Sequence, residues 1–168
     1  MSEYDDSTPD TYEADSGYQP TDEPDVIVAQ FTDGSQLGVV DVDHDGYADL
    51  LAVDDDGDNR PEVVYTDEHG GPALDTAYVD ANEDGRPEAI FADTNEDGAI
   101  DAEGRDLDHD GRIDTVVADT NYDGRADLLA QDPNEDGEID RTILDTNYDG
   151  VPDTVHYGDP DTNPYARA

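Results

Sequence analysis

A nine-residue acidic pattern, D-x-[D/N]-x-D-G-x-x-[D/E], returns every 13 residues between Asp41 and Asp153. Nine consecutive copies keep this register, and they begin at Asp41, Asp54, Asp67, Asp80, Asp93, Asp106, Asp119, Asp132 and Asp145. A unit this short buries too little apolar surface to fold alone, so the copies must stack and stabilise one another. The repeat therefore restricts the chain to a regular array.

Acidic and amide side chains at alternate loop positions suit a hard cation. Calcium takes six to eight oxygen ligands, which the first, third, fifth and ninth side chains and the seventh backbone carbonyl can supply. Glycine at the sixth position, as in Gly46, allows the positive φ of the sharp turn. Asn59 replaces this glycine in the second copy and tolerates the same conformation.

Eight copies retain every ligand position and are predicted to bind about eight Ca²⁺ ions. The predicted metal ligands are Asp41, Asp43, Asp45, Tyr47, Asp49; Asp54, Asp56, Asp58, Arg60, Glu62; Asp80, Asn82, Asp84, Arg86, Glu88; Asp93, Asn95, Asp97, Ala99, Asp101; Asp106, Asp108, Asp110, Arg112, Asp114; Asp119, Asn121, Asp123, Arg125, Asp127; Asp132, Asn134, Asp136, Glu138, Asp140; and Asp145, Asn147, Asp149, Val151, Asp153. The copy at 67–75 differs, since His69 and Gly71 occupy the third and fifth positions and Pro72 replaces the glycine. It is predicted to keep its length and place without an ion, because proline holds φ near −65°.

Four linking residues follow each loop and are rich in β-branched, aromatic and leucine side chains, which predicts strands of four or five residues. Their second residues form an apolar ladder expected to be mostly core: Leu51, Val64, Ala77, Ile90, Glu103, Val116, Leu129, Thr142 and Val155. The linker 102–105 fits a strand poorly and is predicted to be a bulge or a break. The predicted fold is mainly β, a β-solenoid-like array of short strands and calcium loops. The Asp-Thr-Asn copies at 93, 119 and 145 favour two repeats per turn.

The segments outside the repeats are predicted from their composition. Residues 1–24 are acidic without apolar periodicity, which predicts a disordered tail. Residues 25–40 hold two apolar runs around Asp33 and Gly34 and predict a hairpin, either as a cap or as an ordinary strand pair of the same sheet. The calcium-binding repeat domain is expected at 41–157 and a C-terminal tail at 158–168. The start lacks a secretory signal, and no run is long enough to cross a membrane.

Charge narrows the possible functions. The 168 residues carry a formal charge of −41 from 48 acidic and seven basic side chains. Eight Ca²⁺ ions would add sixteen positive charges and leave about −25, so metal binding is expected to be a condition of folding. A disordered polyanion would explain the composition but not the register. Nucleic-acid binding is excluded by the scarcity of Lys and Arg, and a disulfide framework by the lack of cysteine.

The loops resemble known calcium loops. Their D-x-[D/N]-x-D-G core is similar to the loop of EF-hand and dockerin modules, which end in an acid at the twelfth position where this chain has Ala52, Tyr65 or Phe91. They are more similar to the helix-free loop of FG-GAP repeats, in which a ninth-position acid completes the site. Their tandem packing resembles thrombospondin type 3 repeats without the cysteines. The resemblance covers residues 41–153 and implies calcium coordination.

Two functions of different classes fit these features. One is a structural, spacer or adhesion and interaction module that becomes rigid on binding Ca²⁺, with a protein or cell-surface partner. The other is a calcium buffer or sensor. Enzyme activity is not expected, because carboxylates that hold calcium are not free for acid–base catalysis. The threonines Thr94, Thr120 and Thr146 are assigned to loop chemistry rather than to a ligand surface. Calcium chemistry favours an extracellular or cell-surface location, and the missing signal favours the cytoplasm.

Overall fold

The computed structural model describes residues 23–158, which form one sheet of eleven short strands. The strands are β1 (Asp25–Gln30), β2 (Gln36–Asp41), β3 (Leu50–Asp54), β4 (Val63–Thr66), β5 (Thr76–Val79), β6 (Ala89–Ala92), β7 (Ala102–Arg105), β8 (Thr115–Ala118), β9 (Leu128–Gln131), β10 (Arg141–Leu144) and β11 (Thr154–Tyr157). Each strand pairs antiparallel with the next, so the order in the sheet is the order in the sequence. The predicted mainly β, repetitive array is confirmed, and its path is an open meander.

The tails predicted at 1–24 and 158–168 lie outside the described residues, apart from positions 23, 24 and 158. No helix long and apolar enough to cross a membrane occurs within 23–158.

Antiparallel order places successive loops at opposite ends of the strands. Loops 54–62, 80–88, 106–114 and 132–140 lie at one end, which we call the first rim. Loops 41–49, 67–75, 93–101, 119–127 and 145–153 lie at the other end, the second rim. Neighbouring loops of one rim are 26 residues apart, and all three Asp-Thr-Asn copies belong to the second rim. Two repeats therefore complete one up-and-down cycle of the chain.

The two apolar runs before the first loop form a hairpin in the same sheet. β1 and β2 pair from Asp25 opposite Asp41 to Gln30 opposite Gln36. The turn between them needs a residue with φ of 106°, which Gly34 supplies. Because β3 pairs with the other side of β2, the hairpin contributes the first two strands of the meander.

The predicted apolar ladder divides between the two faces of the sheet. Leu51 lies opposite Tyr65, whereas Val64 lies opposite Ala52, so alternate members of the ladder face opposite sides. Most members are only partly buried. Ala89 is the one hydrophobic residue classed as buried in the described part of the chain. The prediction that this ladder is mostly core is wrong, because a single-layer sheet has no second layer to cover it.

Loop residues at the eighth position give the sheet partial cover. On the first rim, Pro61 and Pro87 line a groove of about 510 Å³ beside Tyr78. On the second rim, Pro152 lines a groove of about 330 Å³ beside Leu129. The strand register places Tyr78 and Leu129 on opposite faces. Each rim therefore shelters a different face.

The linker that we predicted to be a bulge or a break is the regular strand β7, paired on both sides. Glu103 forms an ion pair with Arg105, whose guanidinium lies 5.2 Å from the centre of the Phe91 ring. Gly104 accommodates a loop side chain, since an added Cβ would lie 3.2 Å from Ile113 Cγ2. Neighbouring strands thus supply the packing that the composition of this linker does not predict.

Candidate metal centres

Two residues in the left-handed region shape each intact loop. In loop 80–88 these are Glu83 at the fourth position, with φ of 58°, and Gly85 at the sixth, with φ of 89°. Glycine signals the sixth position in the sequence. Nothing signals the fourth, where the left-handed residues are His44, Gly57, Glu83, Glu96, His109, Tyr122, Glu135 and Tyr148. Closing so short a loop therefore requires the left-handed conformation at the fourth position, although residues with a Cβ seldom adopt it.

The first-position carboxylate organises the loop by accepting backbone hydrogen bonds. Asp106 accepts from the N–H groups of His109 at 2.8 Å and Gly111 at 2.7 Å. Burial opposes the charge of Asp106, but the donors Gly111 and His109 outweigh it, so the pKa of Asp106 is lowered. The same balance of burial against backbone donors lowers the pKa of Asp119. The hydrogen bonds therefore favour the ionised form of both carboxylates, which is the form that binds a cation.

The other predicted side chains are fixed in the same way, as loop 80–88 illustrates. Asn82 Oδ1 accepts from the N–H of Asp84 at 2.8 Å, and Asp84 Oδ1 accepts from the N–H of Arg86 at 3.0 Å. Glu88 Oε2 accepts from the N–H of Ala81 at 2.7 Å, which joins the end of the loop to its start. Backbone donors thus orient the third-, fifth- and ninth-position oxygens.

The seventh position, predicted to offer its carbonyl, has a regular contact of its own. In every intact loop the seventh N–H donates to the fifth-position carboxylate, and these donors are Tyr47, Arg60, Arg86, Ala99, Arg112, Arg125, Glu138 and Val151. The role of the seventh carbonyl as a ligand stays a prediction.

Acidic oxygen atoms converge in four of the intact loops. One oxygen from each of three residues lies within 4.8 Å of the others in the groups Asp41, Asp43, Asp45; Asp54, Asp56, Asp58; Asp80, Asp84, Glu88; and Asp106, Asp108, Asp114. A fifth group, Asp56, Glu62 and Glu83, joins two neighbouring loops of the first rim. Loops starting at 93, 119, 132 and 145 have asparagine at the third position, as loop 80–88 does with Asn82. No group of three acids this tight occurs in them within the described residues.

Carboxylates, rather than hydrocarbon side chains, occupy the most buried positions of the structure. The buried acids are Asp54, Asp75, Asp106, Asp114, Asp119, Asp127, Asp132, Asp140 and Asp145. All of them stand at the first or ninth position of a loop. Burying a charge is costly unless a counter-charge accompanies it. Arg105 forms its ion pair with Glu103, which is not one of these buried acids.

On the first rim, arginines connect neighbouring loops, a role that the sequence analysis did not predict. Three seventh-position arginines donate to a backbone carbonyl of the next loop along the rim. The pairs are Arg60 to Glu83 at 3.1 Å, Arg86 to Asp110 at 2.5 Å and Arg112 to Glu135 at 3.4 Å. The recurrence of arginine at 26-residue intervals was the signal that could have revealed this ladder.

Acidic side chains of neighbouring first-rim loops also lie close to one another. A side-chain hydrogen bond with Asp58 raises the pKa of Glu83. The negative charge of Asp108 raises the pKa of Glu135, which holds the same fourth position in a first-rim loop four strands further along. Each pair sets a fourth-position glutamate against an acid of the preceding loop, so this rim favours nearby cations.

The divergent loop 67–75 contains an imidazole beside its ninth-position acid. His69 Nδ1 lies 2.6 Å from Asp75 Oδ2, and the Asp75 side chain is 2% exposed. The hydrogen bond with Asp75 raises the pKa of His69. Burial opposes the charge of Asp75, but its hydrogen bonds with His69 and Thr76 outweigh this effect and lower its pKa. In this loop the His69 side chain therefore provides the positive partner of the Asp75 carboxylate.

The second-position threonines belong to the loops. The hydroxyls of Thr94, Thr120 and Thr146 donate to the ninth-position carboxylate of their own loops at 2.8, 2.6 and 2.8 Å. This agrees with their assignment to loop chemistry. Each hydroxyl also orients the ninth-position carboxylate, which is the last predicted ligand of its loop.

Comparisons of the chain with protein-family models, curated proteins and solved structures find no match. The resemblance to FG-GAP and EF-hand loops consequently rests on the loop residues.

Proposed function

We propose that this chain binds Ca²⁺ in its eight intact loops and that the ions make the array a rigid β-rich module, which serves as a structural spacer or an interaction surface. The observation that carries the proposal is the burial of first- and ninth-position carboxylates. Eight such acids of the intact loops are buried at the strand ends, and the ninth buried acid, Asp75, belongs to loop 67–75 and contacts His69. Their repulsion opposes folding unless cations lie between them.

The chemistry of the donors favours calcium among the common cations. Each intact loop offers carboxylate or amide oxygens at four side-chain positions, and the chain has no cysteine. Soft metals prefer thiolate or imidazole ligands. Magnesium demands near-ideal octahedral geometry, whereas calcium accepts irregular shells of six to eight oxygens. A short loop with several carboxylates suits the larger ion.

The position of the loops supports a structural role. Each loop connects consecutive strands, so a bound ion would fix the end of one strand relative to the start of the next. Within residues 23–158 the sheet has no second layer and no substantial apolar core. Its stability must therefore come from ladder hydrogen bonds and from the loops. Metal binding would then be part of the folding free energy.

Calorimetric titration with Ca²⁺, together with far-UV circular dichroism in chelator and in excess Ca²⁺, tests the proposal. We expect about eight ions per chain and a coil-to-β transition near millimolar Ca²⁺, the range of extracellular modules. Submicromolar binding would indicate the alternative function, an intracellular buffer or sensor. An unchanged spectrum without heat of binding would refute the calcium proposal. Mg²⁺ at the same concentration is the control for non-specific screening.

A further inference from the structure

Among the described residues, the outer side of the first strand has no pairing strand and forms an apolar edge of the sheet. β1 and β11 are the outer strands. In β1, the residues Val26, Ile27 and Val28 are 57%, 68% and 65% exposed, and Asp25 is its one charged residue. An exposed apolar edge strand presents unpaired N–H and C=O groups to another strand. A soluble chain must cover or block such an edge.

The hydrogen-bond pattern identifies which groups of β1 are open. Phe31 N–H donates to Ser35 O at 2.9 Å, so this pair is hydrogen-bonded across the hairpin. Hydrogen-bonded and non-bonded pairs alternate along an antiparallel ladder. Given the register of β1 and β2, the N–H and C=O groups of Val26, Val28 and Gln30 point away from β2.

We propose that this edge pairs with β1 of a second copy of the chain, in an antiparallel dimer with two-fold symmetry. The outward N–H and C=O groups of one copy must face those of the other. If Val28 lies opposite Val28 of the second copy, Val26 lies opposite Gln30 on both sides of the two-fold axis. This register forms about six backbone hydrogen bonds. It also sets Asp25, the one acid of β1, opposite Phe31 rather than opposite another acid. A two-fold axis closes the assembly at two chains.

Other occupants of the edge fit less well. Residues 1–22, which precede β1, contain seven acids and no Lys or Arg, and such a segment has little to pair with an apolar strand. β11 is shorter than β1, with four residues against six, and includes His156. Because strand direction alternates over eleven strands, β1 and β11 run the same way. Joining copies by translation would require a parallel pair of unequal length.

Sedimentation equilibrium of the full chain in Ca²⁺ tests the dimer. One strand pair buries little area, so association should be weak and concentration-dependent. We expect the mass to rise from 18.2 kDa towards twice that value as the concentration approaches several hundred micromolar. Val28→Lys would place two ammonium groups on the two-fold axis and should keep the chain monomeric. Val28→Pro removes an outward N–H without removing a bond to β2, and should have the same effect.

The matched control is Val155→Lys, which adds the same charge to the exposed strand at the other edge. It should associate as the wild type does, and circular dichroism should show all three variants folded. A wild-type monomer at every concentration would overturn the proposal and leave the edge to another occupant. A mass above that of a dimer, or association lost only in Val155→Lys, would also overturn it.

Discussion

At the scale of single residues, the burial pattern of this sheet is the reverse of that in most globular proteins. The first- and ninth-position aspartates lie inside the loops, while Val26, Ile27 and Val28 are largely exposed. Backbone N–H groups stabilise the acids as anions but carry no net charge. The balance of charge must therefore be completed from solution, apart from loop 67–75, where His69 takes part.

Replacing Asp123 with Ala tests the assignment of a single loop. Asp123 accepts the N–H of Arg125 at 3.0 Å and stands at the fifth position of loop 119–127. We expect calorimetry to show one Ca²⁺ fewer and weaker binding in neighbouring loops. His69→Ala, in the divergent loop, is the control and should leave the stoichiometry unchanged. Equal losses in both variants would contradict the assignment of 67–75 as a loop without an ion.

The His69–Asp75 pair predicts a pH dependence for loop 67–75. Because the pKa of His69 is raised, its stabilisation is fully present below the ordinary histidine pKa of about 6.5 and is lost as pH rises through the raised native value. Because the pKa of Asp75 is lowered, its contribution is present above the ordinary aspartate pKa of about 3.9 and is lost as pH falls through the native value. The pair should be most stable between these limits.

An NMR titration of the imidazole in saturating Ca²⁺ measures this effect directly. We expect the His69 resonances to titrate above the ordinary histidine value. The protection of the Thr76 amide, after correction for the base-catalysed intrinsic exchange rate, should fall over the same rise in pH. His69→Gln should remove this pH dependence of the protection at Thr76. An ordinary His69 titration would show that the contact with Asp75 does not persist in solution.

At the scale of elements, the two rims differ in how their loops are connected. First-rim arginines reach the next loop, whereas Arg125 on the second rim makes no side-chain hydrogen bond within the described residues. Arg86→Gln should therefore weaken the coupling between loops 80–88 and 106–114. We expect a loss of about 1 kcal/mol, the net value of a typical hydrogen bond, because this contact is exposed to solvent, measured by thermal unfolding in Ca²⁺. Arg125→Gln is the matched control, and an equal loss there would argue against the ladder.

The elements themselves were largely predictable from the sequence. A strict 13-residue register fixed the place of every loop, and the β-rich linkers indicated the short strands between them. β7 was not predictable from its own residues, since its regularity depends on pairing with β6 and β8. The left-handed conformation at the fourth loop position was not predicted, because this position holds glutamate, tyrosine or histidine as well as glycine and so has no sequence signal. The ligand assignment of each loop stays a prediction.

At the scale of the whole molecule, the sheet is a linear array in which each strand touches only its neighbours. Stability in such arrays is close to a sum of unit and neighbour terms. A defect in the middle should therefore disturb two neighbours, and a defect near an end should disturb fewer. Asp97 and Asp149 allow the comparison, because both stand at the fifth position of second-rim loops.

We expect Asp97→Ala to lower the melting temperature in Ca²⁺ more than Asp149→Ala. Hydrogen exchange should show opening on both sides of loop 93–101 in the first variant, and confined to β10 and β11 in the second. Equal destabilisation by the two substitutions would indicate that the array unfolds as one cooperative unit.

The antiparallel order of the strands also determines how the chain can reach its native state. Every ladder joins segments that are adjacent in sequence, so no long loop has to close before pairing begins. Low contact order of this kind permits rapid folding, which can start at any hairpin and spread in both directions. A nascent chain could accordingly add one strand at a time as it emerges. The supply of cations, rather than the search for distant partners, would then set the pace of assembly.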